Sequence, residues 1–177
     1  MEQAFENKKC PPNGGHFLKV LRYFSLTLYS AAPMENAKQN LIPVESSSVS
    51  AATIDFGGSK VRFGSVHPFS PRPRNQGLWN RSLDSLAQLQ HYDNLYVLMG
   101  DFNSTWDHAS FRYLLGSRFL DSGQQAGEGL HMTYPAMMPI AEIDHIVHDK
   151  GVTVGNLKTA YIPGSDHRAL LATLEVA

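Results

Sequence analysis

A short apolar run at residues 95–99, Leu-Tyr-Val-Leu-Met, constrains the fold of this chain more than any other stretch. A run that is apolar at successive positions is typical of a strand buried on both faces of a sheet. Asp101 and Asn103 follow it almost at once. Because side chains alternate along a strand, both are expected on the face that carries Val97 and Met99. A carboxylate and a carboxamide there need a metal, a polar network or a substrate as partner.

The overall composition limits the class of protein. A chain of 177 residues has the size of one domain with a substantial core. Its formal net charge of −1 provides no basic field for nucleic acid, so phosphate binding would need a local site or a metal. The single cysteine, Cys10, excludes an intrachain disulfide and argues against a cysteine-rich zinc site.

The N-terminal region carries few signals. Residues 1–15 are polar and turn-rich, so we expect a loose tail followed by one domain over residues 16–177. No run approaches 18 uncharged apolar residues, which predicts a soluble chain without a transmembrane helix. Residues 17–32 weakly resemble a signal peptide, although Lys19 and Arg22 interrupt the apolar stretch. The localisation therefore stays open.

The order of apolar patterns predicts an α/β (α+β) protein with helices packed outside a sheet. Strands are expected at 17–29, 50–56, 60–67, 95–99, 142–148, 152–161 and 168–176, helices at 78–90 and 105–115, and loops at 32–48 and 116–139. A Gly-Gly pair at 57–58 predicts that the second and third strands form a hairpin.

Polar residues that could carry chemistry stand at the ends of these strands, namely His67, Asp101, Asn103, Asp144, Asp166 and His167. Asp101 and Asp166 could supply oxygen ligands to Mg²⁺ or Mn²⁺. His167 could act as a general base for water if Asp144 held its other ring nitrogen. Together these groups are the parts of a metal-assisted phosphoester hydrolase.

The other two candidates would act on the phosphate itself. Asn103 could donate to a transition-state oxyanion, and His67 could donate to a phosphate oxygen or protonate a leaving group. Each candidate also has a structural interpretation, as a helix cap, a strand-edge residue, a turn or a core histidine. The remaining histidines are interpreted as structural, and His145 and His148 are expected on opposite faces of one strand.

Four motifs, in this order along the chain, resemble those of the endonuclease/exonuclease/phosphatase superfamily, also called DNase I-like. They are Val-His-Pro-Phe-Ser-Pro at 66–71, Gly-Asp-Phe-Asn at 100–103, Ile-Asp-His-Ile at 143–146 and Ser-Asp-His-Arg-Ala-Leu at 165–170. The resemblance covers about residues 25–177 and implies a four-layer α/β/β/α sandwich. It also implies a divalent-metal-dependent phosphoester hydrolase that uses Mg²⁺ or Mn²⁺.

The resemblance assigns roles to five of the candidates. It implies that Asp101 and Asn103 sit at the scissile phosphate and that Asp166 is a metal-site carboxylate. It implies that Asp144 and His167 form the dyad that activates water.

The N-terminal part departs from the family pattern. His67 matches the second histidine of the DNase I-like branch, but the family also has an earlier half with an Asn and a metal-binding Glu. Glu2 and Glu6 lie in the polar tail and receive no such role. The chain is therefore expected to resemble the C-terminal portion of a bacterial member, with part of the sandwich incomplete.

Two functions remain open. The first is a hydrolase of phosphoesters, either in nucleic acid or in a lipid or sugar phosphate. The second is a truncated, catalytically impaired copy that binds or oligomerises, since an incomplete sandwich would expose an apolar sheet face for a homo-oligomer to cover. A histidine metalloprotein is disfavoured because no His-x-x-x-His or cysteine ligand spacing occurs.

Overall fold

The structure is a computed structural model, and it describes residues 26–45, 47–127 and 129–176. In these ranges the strands are β1 (Glu35–Lys38), β2 (Ser50–Phe56), β3 (Ser59–Val66), β4 (Leu95–Asp101), β5 (Phe119–Asp121), β6 (Asp144–Asp149), β7 (Val152–Ala160) and β8 (Ala169–Val176). The helices are α1 (Gln76–Ala87), α2 (Ala109–Leu115) and α3 (Ser122–Ala126), and a 3₁₀ turn at Gln88–His91 extends α1.

The strands form a six-stranded sheet with the order β1-β2-β3-β4-β6-β5, and β7 pairs with β8 in a separate hairpin. β4 runs parallel to β3 and antiparallel to β6. The apolar run at 95–99 is therefore a central strand, as predicted. The β2–β3 hairpin around the two glycines and the three C-terminal strands are confirmed as well.

A helical layer covers one face of the six-stranded sheet. Trp79, Leu83 and Leu86 of α1 are buried on the predicted apolar stripe of that helix. They share one core cluster with Phe111 of α2 and Leu98 of β4. Full burial of such a side chain stabilises the fold by about 1.5–3 kcal/mol. The helical layer therefore buries one face of β4.

The β7–β8 hairpin covers the opposite face of the same sheet. Val97 of β4 and Ile146 of β6 pack there against Val154 and Leu157 of β7. The side chains of β8 are half-buried or exposed along its length. The predicted mixed α+β class is confirmed, because helices and strands segregate into packed layers.

Two predicted loops contain secondary structure. The loop at 116–139 includes β5 and α3, and the loop at 32–48 includes β1. β5 has only three residues and gains its partners by pairing with β6. β1 is an edge strand whose four residues are all exposed. Neither strand has a periodic apolar pattern. Both form through pairing with a neighbouring strand and not through their local sequence.

The second helix begins later than predicted. α2 starts at Ala109 and not at Thr105, and its N-cap is His108, without a side-chain capping bond. The preceding residues form a turn in which the backbone N–H of Thr105 donates to Nδ1 of His108 at 2.9 Å. The His108 N–H donates in turn to the Thr105 carbonyl at 3.1 Å. This local turn replaces the expected first helical turn.

Some predictions fall outside the described residues. The tail at 1–15 and most of the strand at 17–29 lie there. The domain boundary at residue 16 therefore stays a prediction. Within the described ranges, none of the helices has the length and apolar character needed to cross a bilayer.

Candidate active site

Three strand ends meet at one edge of the six-stranded sheet. His67 follows β3 directly, and Asp101 ends the neighbouring parallel strand β4. β6 runs the other way, so its first residue, Asp144, pairs with Asp101. Strand alternation places all three side chains on the face that carries Val97 and that β7–β8 covers. These groups lie together because the ends of β3 and β4 and the start of β6 meet at the same end of the sheet.

The second sheet contributes the remaining group. His167 lies in the turn that leads into β8, and its Nδ1 lies 2.7 Å from Oδ2 of Asp144. Its Nε2 lies 3.9 Å from Oδ2 of Asp101. Nε2 of His67 approaches the same Asp101 oxygen at 3.3 Å. The two imidazoles therefore flank one carboxylate.

The Asp144 carboxylate sets the state of His167. Since a carboxylate accepts hydrogen bonds, the short contact assigns a proton to Nδ1 and leaves Nε2 facing Asp101. Burial by itself would lower the pKa of His167, but the hydrogen bond to Asp144 and the charges of Asp144, Asp101 and Asp166 raise it. An imidazole held in this tautomer can take a proton at Nε2.

Asn103 is held in an unusual backbone conformation beside Asp101. Its φ is 50°, in the left-handed region that Asn tolerates better than most residues. Its backbone N–H donates to Oδ1 of Asp101 at 2.7 Å, and its Nδ2 donates to the Pro68 carbonyl at 3.1 Å. An amide nitrogen carries two hydrogens, so the second can donate to another acceptor.

Gly100 allows β3 and β4 to approach closely at this edge. Its φ is 147°, and a Cβ placed there would lie 2.1 Å from the Val66 carbonyl oxygen. Because any larger residue would force the two strands apart, the glycine permits the contact between His67 and Asp101 that follows.

Asp166 is the candidate that the structure joins least to the others. It is exposed, and its backbone carbonyl accepts a hydrogen bond from the Ala136 N–H at 2.7 Å. In the part of the chain that the structure describes, no group of three or more His, Cys, Asp or Glu side chains is arranged around a metal position. Mg²⁺ commonly needs only one or two carboxylates, with water and substrate phosphate completing its shell. The carboxylate of Asp101 fits that mode of binding.

A cleft of about 370 Å³ opens beside the catalytic candidates. Its lining comes from the site itself and from the segment that follows β3, namely His67, Pro68, Phe69, Ser70, Arg72, Asn75 and Asn103. The cleft is large enough to hold a small organic group beside Asn103. Its walls are in part apolar, because Pro68 is buried and Phe69 packs against the helical core.

Sequence reasoning missed two features around the site. The first is Tyr134, whose ring centroid lies 4.9 Å from that of His167. The second is the pair of contacts made by His145, whose interpretation as a structural residue agrees with its burial. His145 is buried behind the site, with Nδ1 lying 3.1 Å from Oδ1 of Asp121 and Nε2 lying 2.7 Å from the Ser104 carbonyl.

The Asp121–His145 pair carries a buried proton. Burial alone would lower the pKa of His145, but the hydrogen bond and charge of Asp121, the Ser104 carbonyl and the charge of Glu142 raise it. Alternation along β6 places His145 on the opposite face from Asp144. The partner of His145 could not be predicted, because Asp121 lies in the segment 116–139, which the sequence predicts to be a loop.

Comparison with solved structures shows the same fold in longer proteins. An endonuclease/exonuclease/phosphatase family protein from Leptotrichia buccalis is 16% identical with a TM-score of 0.73, over 93% of this chain and 73% of that one. Humanized D. rerio TDP2 is 18% identical with a TM-score of 0.72, over 92% and 77%. The 3′ phosphatase NExo from Neisseria, bound to a product DNA hairpin, is 17% identical with a TM-score of 0.70, over 91% and 79%.

These likenesses concern the fold, and they confirm the DNase I-like α/β sandwich, of which the chain spans a part. Several other similar structures are longer still, and the chain spans 55–60% of them. A search of curated protein sequences finds no significant match. A family model described as Endonuclease/Exonuclease/phosphatase family matches residues 10–167. The chain therefore belongs to this family of phosphoester hydrolases, whose members generally depend on divalent metal ions.

Proposed function

We propose that this chain hydrolyses a phosphoester with a water molecule that the Asp144–His167 dyad activates. The observation that carries the proposal is the 2.7 Å contact between Nδ1 of His167 and Oδ2 of Asp144. It leaves Nε2 on the side of Asp101, at 3.9 Å from Oδ2. A water between Nε2 and the phosphorus would lose its proton to His167 as it attacks.

The neighbouring groups would bind the phosphate and assist the leaving group. The second amide N–H of Asn103 donates to a phosphate oxygen and stabilises charge that develops there. His67 contacts the same Asp101 oxygen as His167 does. In the proposed in-line displacement, His67 donates a proton or a hydrogen bond to the leaving oxygen.

The metal ion would be Mg²⁺ or Mn²⁺, held by Asp101 together with Asp166. When bound, it neutralises the phosphate oxygens and acts as a Lewis acid. Asp101 keeps its orientation without the ion, because the backbone N–H of Asn103 holds Oδ1. Oδ2 is then directed toward the two imidazoles and the substrate.

Activity on a small phosphodiester tests the dyad. The full chain is assayed with bis(p-nitrophenyl) phosphate and Mg²⁺ or Mn²⁺, as wild type and as His167→Ala. Loss of the general base should lower the rate by about 10²–10⁴-fold. His91→Ala is the matched control, because His91 is exposed at the end of the 3₁₀ turn. Equal rates for the wild type and His167→Ala would refute the proposed mechanism.

Metal binding is tested separately by titration calorimetry. Mn²⁺ should bind the wild type more tightly than Asp101→Asn, whose amide oxygen is a weaker ligand than a carboxylate. Asp84→Asn, at an exposed position of α1, should bind like the wild type. Equal affinities for all three proteins would remove Asp101 from the metal site.

A second candidate function is a binding or oligomerising module of the same fold. It is favoured by β8, whose side chains are exposed or half-buried and include Leu171 at 43% exposure. Association of two copies would cover that sheet. Light scattering decides between the two, since a monomer at micromolar concentration that hydrolyses the diester excludes the second function.

A further inference from the structure

The peptide that follows Asn103 is held at both of its polar ends by imidazole rings. The carbonyl of Ser104 lies 2.7 Å from Nε2 of His145, in β6. The N–H of Thr105 donates to Nδ1 of His108, the N-cap of α2, at 2.9 Å. This carbonyl and this N–H belong to one peptide unit, so two histidines from different parts of the fold hold it. We call this arrangement the peptide clamp.

The clamp needs its two rings in opposite states. A carbonyl oxygen only accepts hydrogen bonds, so Nε2 of His145 carries a proton. A backbone N–H only donates, so Nδ1 of His108 carries none. The carboxylate of Asp121 lies 3.1 Å from the other nitrogen of His145 and fixes the orientation of that ring. Each histidine is therefore in the state that its end of the peptide requires.

Aromatic packing restrains both rings of the clamp. His145 is 2% exposed and packs on Phe111, with 4.4 Å between the ring centroids. His108 meets Trp79 in a T-shaped contact, with the ring centroids 4.9 Å apart. Phe111 and Trp79 both belong to the core of the helical layer. The clamp is therefore anchored to the core and not to the surface.

The clamp fixes one side of a residue with an unusual backbone conformation. Asn103 has a φ of 50°, and a residue in this region keeps its conformation only where its surroundings determine it. On the preceding side, the Phe102 N–H donates to the Ile143 carbonyl at 2.9 Å. On the following side, the clamp holds the next peptide. The side-chain amide of Asn103 therefore extends from a backbone that is anchored before and after it.

We propose that His145 and His108 are positioning residues, which hold the backbone of Asn103 so that its side-chain amide is aligned with the substrate phosphate. Both rings act through the peptide that follows Asn103 and not on the substrate itself. The catalytic part of this statement rests on the proposed hydrolase function, whereas the hold on Asn103 does not. Because Asn103 is assigned to charge that develops in the transition state, loss of the clamp should affect kcat more than KM.

Hydrogen exchange followed by NMR tests the hold on Asn103 without any hydrolysis. The backbone N–H of Asn103 should exchange about tenfold faster in His145→Phe and in His108→Ala, because each variant lacks one hydrogen bond of the clamp. The control is the Arg168 N–H, which donates to the Thr133 carbonyl at 2.8 Å. Its exchange should be equal in all variants, whereas a general loss of stability would raise both rates.

Conservative variants separate the hydrogen bonds of the clamp from the packing of its rings. The amide nitrogen of Gln can donate in place of Nε2, and the amide oxygen of Asn can accept in place of Nδ1. The Asn103 N–H should therefore exchange more slowly in His145→Gln than in His145→Phe, and more slowly in His108→Asn than in His108→Ala. His108 is half-buried, so its two variants decide the question if a change at His145 prevents folding.

Kinetics with bis(p-nitrophenyl) phosphate and Mg²⁺ test the catalytic role. His145→Phe and His108→Ala should each lower kcat about 10–100-fold with little change in KM. The same changes should have no further effect on kcat in Asn103→Ala, because a residue that acts through Asn103 then has nothing left to position. Val152→Ala, which opens a cavity in the core beneath the β7–β8 hairpin, is the destabilising control and should keep the wild-type kcat.

Each outcome decides one of the two claims. Equal exchange of the Asn103 N–H in the wild type, His145→Phe and His108→Ala overturns the clamp. A loss of kcat in the Asn103→Ala background as large as in the wild type overturns the positioning role, because the loss then arises elsewhere. A wild type that hydrolyses no phosphoester refutes the proposed function, while faster exchange in both variants still upholds the clamp.

Discussion

Replacing Asp121 by Asn should destabilise the protein strongly, because it removes the partner of a buried charged imidazole. Asp121 and His145 are only 3% and 2% exposed. His145 contacts acceptors at both nitrogens, Oδ1 of Asp121 at 3.1 Å and the Ser104 carbonyl at 2.7 Å. The protons on the His145 ring are therefore shared with these buried acceptors and not with water.

The cost follows from leaving one buried charge without its partner. Breaking such a pair from one side costs about 3–5 kcal/mol. For a domain of this size each kcal/mol lowers Tm by about 2–4 °C, which gives a loss of about 6–20 °C. Thermal unfolding followed by circular dichroism measures it, with Asp84→Asn as the exposed control. A variant that melts within about 2 °C of that control would refute the assignment of a charged buried pair.

The pH dependence gives a second test with a defined sign. The pKa of His145 is raised in the fold above its ordinary value of 6.5. Its protonation therefore contributes stability that is fully present below the unfolded pKa and is lost as pH rises through the folded pKa. The difference in unfolding free energy between wild type and Asp121→Asn should be larger at about pH 6 than at about pH 9. The opposite trend would mean that His145 is neutral in the fold.

A double-mutant cycle isolates the pair from its surroundings. His145→Phe keeps a ring against Phe111, whose centroid lies 4.4 Å away, but leaves Asp121 unpaired. If the two groups interact as described, Asp121→Asn combined with His145→Phe costs less than the sum of the single changes. A coupling energy below about 0.5 kcal/mol would show that they act independently.

Two other substitutions test the framework around the site. Gly100→Ala should lower the free energy of unfolding by about 1–3 kcal/mol from backbone strain alone, and the 2.1 Å approach of a Cβ to a carbonyl oxygen adds to this loss. Urea titration measures the loss, with Gly155→Ala as the control because a Cβ at Gly155 meets nothing within 4 Å. Equal urea midpoints for the two variants would contradict the close approach at Gly100. Arg118→Ala should lower the free energy of unfolding by about 3–5 kcal/mol, because it removes the contacts of 2.6 and 2.9 Å that the guanidinium makes with the buried carboxylate of Asp149. Arg74→Ala, at an exposed position, should leave the stability unchanged. A loss for Arg118→Ala that depends on salt would indicate a solvated ion pair.

Much of the site could be predicted from the sequence because its residues end strands with strong local signals. The apolar run before Asp101 identifies a central strand, and the residue order along it identifies the face. His67 and Asp144 stand at the ends of equally clear patterns. Because neighbouring strands end at the same side of a sheet, the strand pattern goes most of the way toward placing these polar groups together.

The parts that could not be predicted depend on tertiary pairing. Asp121 belongs to a three-residue strand that exists only through its bonds to β6. Tyr134 lies in a segment with no regular pattern, and its ring reaches His167 because the 134–141 turn folds back on itself. Asp166 remains a candidate by motif alone, since its exposed side chain lies in a turn that has no regular pattern.

One strand supports both sides of the candidate site, so the register of that strand fixes the geometry of the site. Asp144 of β6 orients His167 on one face, and the next residue, His145, holds the Ser104 carbonyl on the other. Ser104 follows Asn103 directly, so the Asp144–His167 contact and the Asn103 amide are both positioned by adjacent residues of β6. A slip of one residue against β4 would exchange the two faces and lose both contacts together. The pairing of Asp101 with Asp144 is thus the register on which the site depends, and the core behind it is stabilised by the same strand.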